Sequence, residues 1–348
     1  MNRERLVTIA IPTRDRPELL RRAVLSALAQ TYPHVEVLVS DNASAKGTAA
    51  VLAELAHPRL RVVRRDALVP MMAHWDLCVA EARGELFLLL SDDDFLHPQA
   101  IEALEPRLSD GHGIAYCRAD VVDARGEWLG TGAPAPASEP AQRTVLEFFG
   151  ARRTPFACSV LLRTADVKRS GGYSGVPLQL LGDARIWMAA ALGYPRVAFV
   201  DRPLCAYCTH PGSATTGARL ETWMEENQRL AEWCAGLLRQ RGEGSAADEV
   251  LRRVETLKAR SAVFLIAAQV SAGRGRVEAA RQMVALAPPR ASAARLGLLA
   301  HGLLLMAMPV RVAALAAAVR RRLRRHGSGA AVPPPSVQSN LPVGRAVP

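Results

Sequence analysis

Four short, mostly apolar runs open the chain: Leu6 to Ile11, Val35 to Ser40, Leu60 to Val63 and Leu86 to Leu90. Near-continuous apolarity marks strands buried on both faces, the condition of a parallel sheet covered by helices. Between the first two runs, Leu19, Leu20, Ala23, Val24, Ala27 and Leu28 recur at helical spacing and predict a helix whose apolar face meets the sheet. Pro17 suits its first position. Asp15, with Glu18 three residues on, predicts a start resembling a capping box. The alternation over the first 120 residues therefore predicts an α/β fold.

Tyr116 to Val122 reads as a further strand that turns back at Asp123 to Gly126. The Pro-, Ala- and Gly-rich stretch from Thr131 to Pro140 breaks the pattern and is expected to be a surface loop near the substrate face or a plain connector. Ala157 to Leu162, Val197 to Val200 and Leu204 to Cys208 are expected strands, and Asp183 to Leu192 an expected helix. From about Arg219 the chain turns rich in Ala, Leu, Arg and Glu, which predicts a helical accessory region. Leu296 to Val310 is the most apolar stretch, but His301 and Pro309 interrupt it and Arg311 ends it, short of the about 20 residues a spanning helix needs. With Arg320, Arg321, Arg322, Arg324 and Arg325 beyond it, this segment suits either an anionic membrane surface or packing on the catalytic domain. Residues 327–348, with Pro333 to Pro335 in a row, are expected to be a disordered tail.

Composition narrows this picture little. The 348 residues are 49% hydrophobic and 22% charged, as in an ordinary soluble protein. The formal net charge of +11 comes from 44 Lys and Arg against 33 Asp and Glu, and an Arg excess favours phosphate-bearing partners. Aromatic residues make up 5% and do not interleave with the Arg cluster, so no nucleic-acid stacking platform is expected. Cys78, Cys117, Cys158, Cys205, Cys208 and Cys234 lack a framework spacing, and no secretory signal precedes the first strand. A cytoplasmic protein, either free or peripheral at the inner face of the membrane, is expected from these features. Cys205 and Cys208 form a CxxC without the second pair of ligands a zinc site needs.

The chemistry is expected at the carboxyl ends of the strands, where open α/β sheets bind ligands. Asp41 follows the second strand, and Asp92, Asp93 and Asp94 follow the fourth. Three adjacent acids at the end of a buried strand repel one another, so a compensating cation is expected. Helix capping accounts for one of them, not three. Oxygen ligands suit Mg2+ or Mn2+, completed by substrate phosphates.

The segments Ile9-Ala10-Ile11-Pro12-Thr13-Arg14-Asp15-Arg16-Pro17, Val39-Ser40-Asp41-Asn42-Ala43-Ser44 and Leu90-Ser91-Asp92-Asp93-Asp94 resemble, in order and spacing, the family 2 glycosyltransferases of the GT-A fold. The resemblance continues through Gly182-Asp183-Ala184-Arg185-Ile186-Trp187 and Tyr207-Cys208-Thr209-His210-Pro211-Gly212-Ser213, covering about residues 6 to 215. It implies a Rossmann-like mixed sheet with a C-terminal helical extension, and a metal-dependent inverting transfer from a nucleoside-diphosphate sugar to a hydroxyl of a glycan or lipid-linked acceptor. It implies that Pro12, Thr13, Arg14 and Asp15 lie by the nucleotide, that Asp41 contacts the base, and that Asp92 faces the ribose or the waters of the metal. Asp93 and His210 are the implied metal ligands, Asp94 orients the loop or caps a helix, and Asp183 is the implied base. Trp187 belongs to the acceptor wall or to the core. Three positions depart from the commonest pattern: Arg14 stands where an aromatic residue often packs on the base, Ser91 replaces the first acid of the DxD motif, and Gly182 replaces a Glu.

On this reading residues 1–215 form the transferase domain, with a nucleotide-binding half to about 120 and an acceptor half after it. Residues 216–326 form the helical region and 327–348 the tail. A dinucleotide-binding dehydrogenase needs a glycine-rich turn after the first strand, and Pro12 to Asp15 contain no glycine. A nucleotidyltransferase-like enzyme, or a non-enzymatic protein binding anionic surfaces through the Arg-rich helix, are the alternatives.

Overall fold

A computed structural model describes residues 4–45, 47–210 and 212–271. The first half is laid down as strands β1 (Val7–Thr13), β2 (Val35–Asp41), β3 (Leu60–Arg64) and β4 (Leu86–Leu89), joined by helices α1 (Pro17–Leu28), α2 (Thr48–Glu54) and α3 (Met71–Glu81). These strands are mutually parallel in the order β3-β2-β1-β4. Every residue of β1, β2 and β4 is buried, and alternate residues feed two separate cores. Val7, Ile9, Ile11, Val37 and Leu88 pack with Leu20, Val24 and Ala27 of α1, whereas Ala10, Leu38, Phe87 and Leu89 pack with Met72, Cys78 and Val79 of α3. That division is why the apolar runs show no period of two.

The chain continues through β5 (Phe95–Leu96), α4 (Ala100–Leu104), β6 (His112–Asp123), β7 (Trp128–Thr131), β8 (Ser138–Pro140), α5 (Ala141–Phe149), β9 (Val160–Arg163), α6 (Thr164–Arg169), α7 (Gly182–Leu192), β10 (Arg196–Thr209), α8 (Ala214–Gly217), α9 (Leu220–Gln240) and α10 (Gly244–Ser271). The sheet extends as β4-β9-β6-β10-β5, with β7 beside β6 and β8 beside β10. Strand β9 is antiparallel to both neighbours, while β6 and β10 run parallel, so the sheet is mixed. The short β5 pairs antiparallel with Cys205 and Ala206 of β10. This pairing folds the acidic turn after β4 against the far end of β10.

The two expected strands at 197–200 and 204–208 are one strand, β10, whose register shifts on either side of Pro203, a residue with no N–H to give to the ladder. The expected capping box is absent. Arg16 is the N-cap residue of α1 without a side-chain cap bond, and Asp15 sits at φ +55 with its carboxylate accepting the Ala45 N–H. The Thr131 to Pro140 stretch ends as β8, an edge strand along Arg196–Ala198 at the start of β10.

Helices α9 and α10 are not set apart from the sheet. Leu230, Ala231, Cys234, Ala235 and Leu238 of α9, with Val250 and Val254 of α10, join Phe148 of α5 and Trp187 of α7 in one core. The described residues of both helices accordingly belong to the same compact unit as the sheet. The segments 296–310, 320–325 and 327–348 lie outside the described residues. Among the described residues no helix is long and apolar enough to cross a membrane.

Candidate active site

A cavity of about 580 Å3 opens where the carboxyl ends of β1, β2, β4 and β10 converge. The β1–α1 turn contributes Pro12, Thr13, Arg14 and Arg16, and Asn42 follows β2. Ser91 to Asp94 form the floor beyond β4. Gln179, Leu180 and Asp183, at the entry to α7, form the opposite wall.

Asp92 and Asp93 are buried acids held by a cation from the chain itself. Asp92 accepts hydrogen bonds from Thr13 Oγ1 at 2.8 Å and Arg16 Nη1 at 3.1 Å. The same Nη1 lies 3.3 Å from Asp93 Oδ2, and Arg16 Nη2 donates to the Gly212 carbonyl at 2.7 Å. Burial pushes the Asp92 carboxyl up to about 6 against the pull of Arg16, with the Asp93 charge adding to the rise. Asp94 is also buried and accepts the Cys208 N–H at 2.9 Å. Burial, then the neighbouring Asp93, raises Asp94 well above the carboxylate range. It therefore ties the acidic turn to β10 and does not cap α4, whose N-cap residue is Gln99.

The Asp93–His210 pair bridges residues 117 positions apart, with His210 Nε2 at 2.9 Å from Asp93 Oδ2. One carboxylate oxygen and one imidazole nitrogen thus face each other, and both are donor types that a divalent-cation shell accepts. Among the described residues no cluster of three or more such groups occurs, so a cation held here takes its other ligands from water and substrate phosphate, as Mg2+ and Mn2+ commonly do.

Asp183 is the second residue of α7, and its Oδ1 accepts the Ala184 N–H at 2.8 Å. Crowding by protein atoms pushes its carboxyl up to about 6, while backbone N–H groups of Ala184, Asp183 itself and Ala157 pull the other way. The group is ionised above that pH and faces the cavity, the state a proton acceptor needs.

Two residues expected at the nucleotide, Asp41 and Asp15, are not among those lining the cavity. Asp41 is buried, its Oδ1 accepting the Ser44 N–H at 2.9 Å and its Oδ2 facing Arg64 Nη1 at 3.0 Å. Asp15 instead fastens the β1–α1 turn to the loop after β2, with its own N–H donating to Ser44 Oγ at 2.9 Å. Trp187 is buried in the core with its ring edge-on to Phe148, and Trp75 and Tyr207 line the cavity in its place. No residue of the Thr131 to Pro140 stretch reaches the cavity. Cys205 and Cys208, three apart on a strand, point to opposite faces and enter different apolar clusters, which rules out chelation by the pair.

Arg16 and Asn42 are the functional residues that sequence reasoning passed over. Asn42 clamps Val69 in both directions, donating to its carbonyl at 2.8 Å and accepting its N–H at 2.9 Å. Each directly follows an acid, Asp15 and Asp41, within the family-like segments.

Residues 8–163 match the family model for Glycosyl transferase family 2. The O-antigen biosynthesis protein RfbC of Myxococcus xanthus is 44% identical over 91 residues, 25% of this chain and 7% of that protein. The succinoglycan biosynthesis protein ExoO of Rhizobium meliloti is 32% identical over 124 residues, 35% of this chain and 36% of that protein. This chain thus spans well under two thirds of either relative. Among solved structures, S. aureus TarS 1-349 in complex with UDP-GlcNAc aligns with a TM-score of 0.57 at 15% identity, over 76% of this chain and 81% of that one. Mannosyltransferase PcManGT from Pyrobaculum calidifontis, in complex with GDP-Man and Mn2+, aligns with a TM-score of 0.52 at 16% identity, over 93% and 89%. The arrangement of strands is that of the GT-A fold.

Proposed function

The chain belongs to glycosyl transferase family 2 through residues 8–163, and on that premise we propose that it transfers a sugar, with inversion, from a nucleoside-diphosphate sugar to a hydroxyl of a growing glycan in polysaccharide biosynthesis. One observation carries the reading: a single cavity is lined by the β1–α1 turn, by Asp93, whose carboxylate meets His210, and by Asp183. The structural neighbours hold UDP-GlcNAc or GDP-Man with Mn2+, and the relatives' names place them in O-antigen and succinoglycan synthesis.

Pro12, Thr13, Arg14 and Asn42 border the nucleotide, and the exposed Arg14 guanidinium, now 3.5 Å from Asp15 Oδ2, lies along the base or its phosphates. Asp93 and His210 hold a divalent cation, which when bound offsets charge on the departing diphosphate. Thr13 and Arg16 fix Asp92 beside them. Asp183 orients the acceptor hydroxyl and takes its proton as the oxygen attacks the anomeric carbon from the face opposite the diphosphate.

The test is release of nucleoside diphosphate from UDP-GlcNAc, GDP-mannose and related donors by the wild type and Asp183→Asn. Loss of turnover by about 10²-fold or more, with nucleotide binding retained, is the expected result. Equal turnover in the variant would exclude Asp183 as base.

A further inference from the structure

The wall that carries Asp183 is built from outside the matched region. Tyr173 to Leu181 run from α6 to α7 without regular structure, and a carboxylate pins each end. At the first end Asp76 of α3 accepts the N–H groups of Tyr173 and Ser174 and the Ser174 hydroxyl. Gly172, at φ +69, lies so close that a Cβ there would stand 2.2 Å from Asp76 Oδ1. At the second end Glu226 of α9 accepts three consecutive backbone N–H groups: Gln179 to Oε1 at 2.7 Å, Leu180 to Oε2 at 2.8 Å and Leu181 to Oε2 at 3.1 Å.

Those three residues lead directly into α7. Leu181 is its N-cap residue and has no side chain able to cap, so the helix begins without a cap of its own. Glu226 is buried and, from a different element, takes up the N–H groups of the N-cap residue and of the two residues before it, at the end of the helix where the macrodipole favours an anion. Asp183, two residues past Leu181, hangs from the same turn. The backbone that Glu226 grips is cavity wall at Gln179 and Leu180.

We infer that Glu226 is a positioning residue for the base: it fixes the entry to α7 so that the Asp183 carboxylate faces the acceptor, which makes helix α9 part of the active site and not an appendage. The inference rests on the transferase reading with Asp183 as base. A Gln at this position keeps one acceptor oxygen but turns an NH2 donor toward a backbone donor, so at least one of the three bonds is lost. An Asp keeps the charge and retreats by one methylene.

The full chain is compared as wild type, Glu226→Gln, Glu226→Asp and Asp183→Asn. Binding is read with UDP and GDP in Mn2+, turnover with UDP-GlcNAc and GDP-mannose, and amide exchange over 178–184. Glu226→Gln is expected to bind nucleotide as the wild type does, with donor KM unchanged, while kcat falls about 10- to 100-fold. Its acidic pH limb moves, and exchange over 178–184 quickens. Glu226→Asp is expected to recover part of each change. Wild-type kcat, pH limb and exchange in Glu226→Gln overturn the inference, as does a fall in nucleotide affinity in step with kcat, the mark of a general structural role. If Glu226→Gln does not fold, the same readouts on Glu226→Asp decide: slower turnover with intact nucleotide binding supports positioning, and parity with the wild type overturns it. The exchange measurement stands without turnover. Full donor turnover by Asp183→Asn would refute Asp183 as the base and not the grip of Glu226 on α7.

Discussion

The Arg16 guanidinium stands 3.1 Å from the Asp92 carboxylate, and through the same nitrogen 3.3 Å from Asp93. The repulsion between Asp92 and Asp93 is met in this structure by a residue of the chain, seventy-six positions away from Asp92.

Arg16→Gln removes that charge and leaves Asp92 and Asp93 facing each other. Asp92 already titrates near 6, raised by burial and held down by Arg16, so the variant pushes it higher. A carboxyl whose folded value lies above its unfolded value loses its stabilising contribution as pH rises through the folded value. The variant is therefore expected to match the wild type in Tm near pH 5 and to lose about 1–3 kcal/mol at pH 7.5. This is less than the about 3–5 kcal/mol of a fully buried pair, because the Arg16 side chain is 33% exposed. Melting curves at the two pH values check it, and an equal loss at both would contradict the electrostatic account.

Asp183 gives two consequences of opposite sign from one shift. Its carboxyl titrates near 6 and must be ionised to accept a proton, so kcat/KM is expected to fall about tenfold per unit as pH drops below 6. Folding pulls the other way. Raised from 3.8, the group favours the folded state only at low pH, and its ionised form opposes folding above 6. Asp183→Asn is expected to be more stable than the wild type at pH 7.5, by up to about 3 kcal/mol, with little difference at pH 4. A pH series of melting curves on the inactive variant measures it.

Gly182 packs so closely on Met72 that a side chain has no room there. A Cβ on Gly182 would meet Met72 Sδ at 2.3 Å. Gly182→Ala is expected to cost about 1–3 kcal/mol as the buried thioether shifts, and Met72→Ala introduced with it is expected to recover part of that loss. Denaturant unfolding of the single and double variants provides the cycle.

The nucleotide-binding half was legible because its signals are local. Runs such as Leu6 to Ile11 and Leu86 to Leu90 declare strands covered on both faces, and the acids at Asp92 to Asp94 fall at a strand end by position alone. Asp93 and His210 came together only through the pairing of β5 with β10, a contact that motif order implies and periodicity does not. What escaped was non-local or hidden by burial. Asp41 reads as a base contact, and its oxygens meet Ser44 and Arg64, contacts that no local pattern announces. Trp187 lies one turn along α7 from Asp183 yet faces the core. Composition set α9 apart because it carries no acid at a strand end, whereas its Leu230, Cys234 and Leu238 complete the core beneath α7 and its Glu226 reaches the wall of the site. A capping pattern at Asp15 and Glu18 was overridden by a tighter tertiary use of Asp15 on Ala45.

The most direct test of the central claim is thermal melting of the wild type and Asp93→Ala with UDP, GDP, CDP and dTDP, each with and without Mn2+. The account predicts that one nucleotide, at about 100 times its Kd and only with Mn2+, raises the wild-type Tm by roughly 5 °C, and that Asp93→Ala abolishes the shift. A Tm that no nucleotide moves, or a shift of equal size in Asp93→Ala, would contradict a donor site built on Asp93.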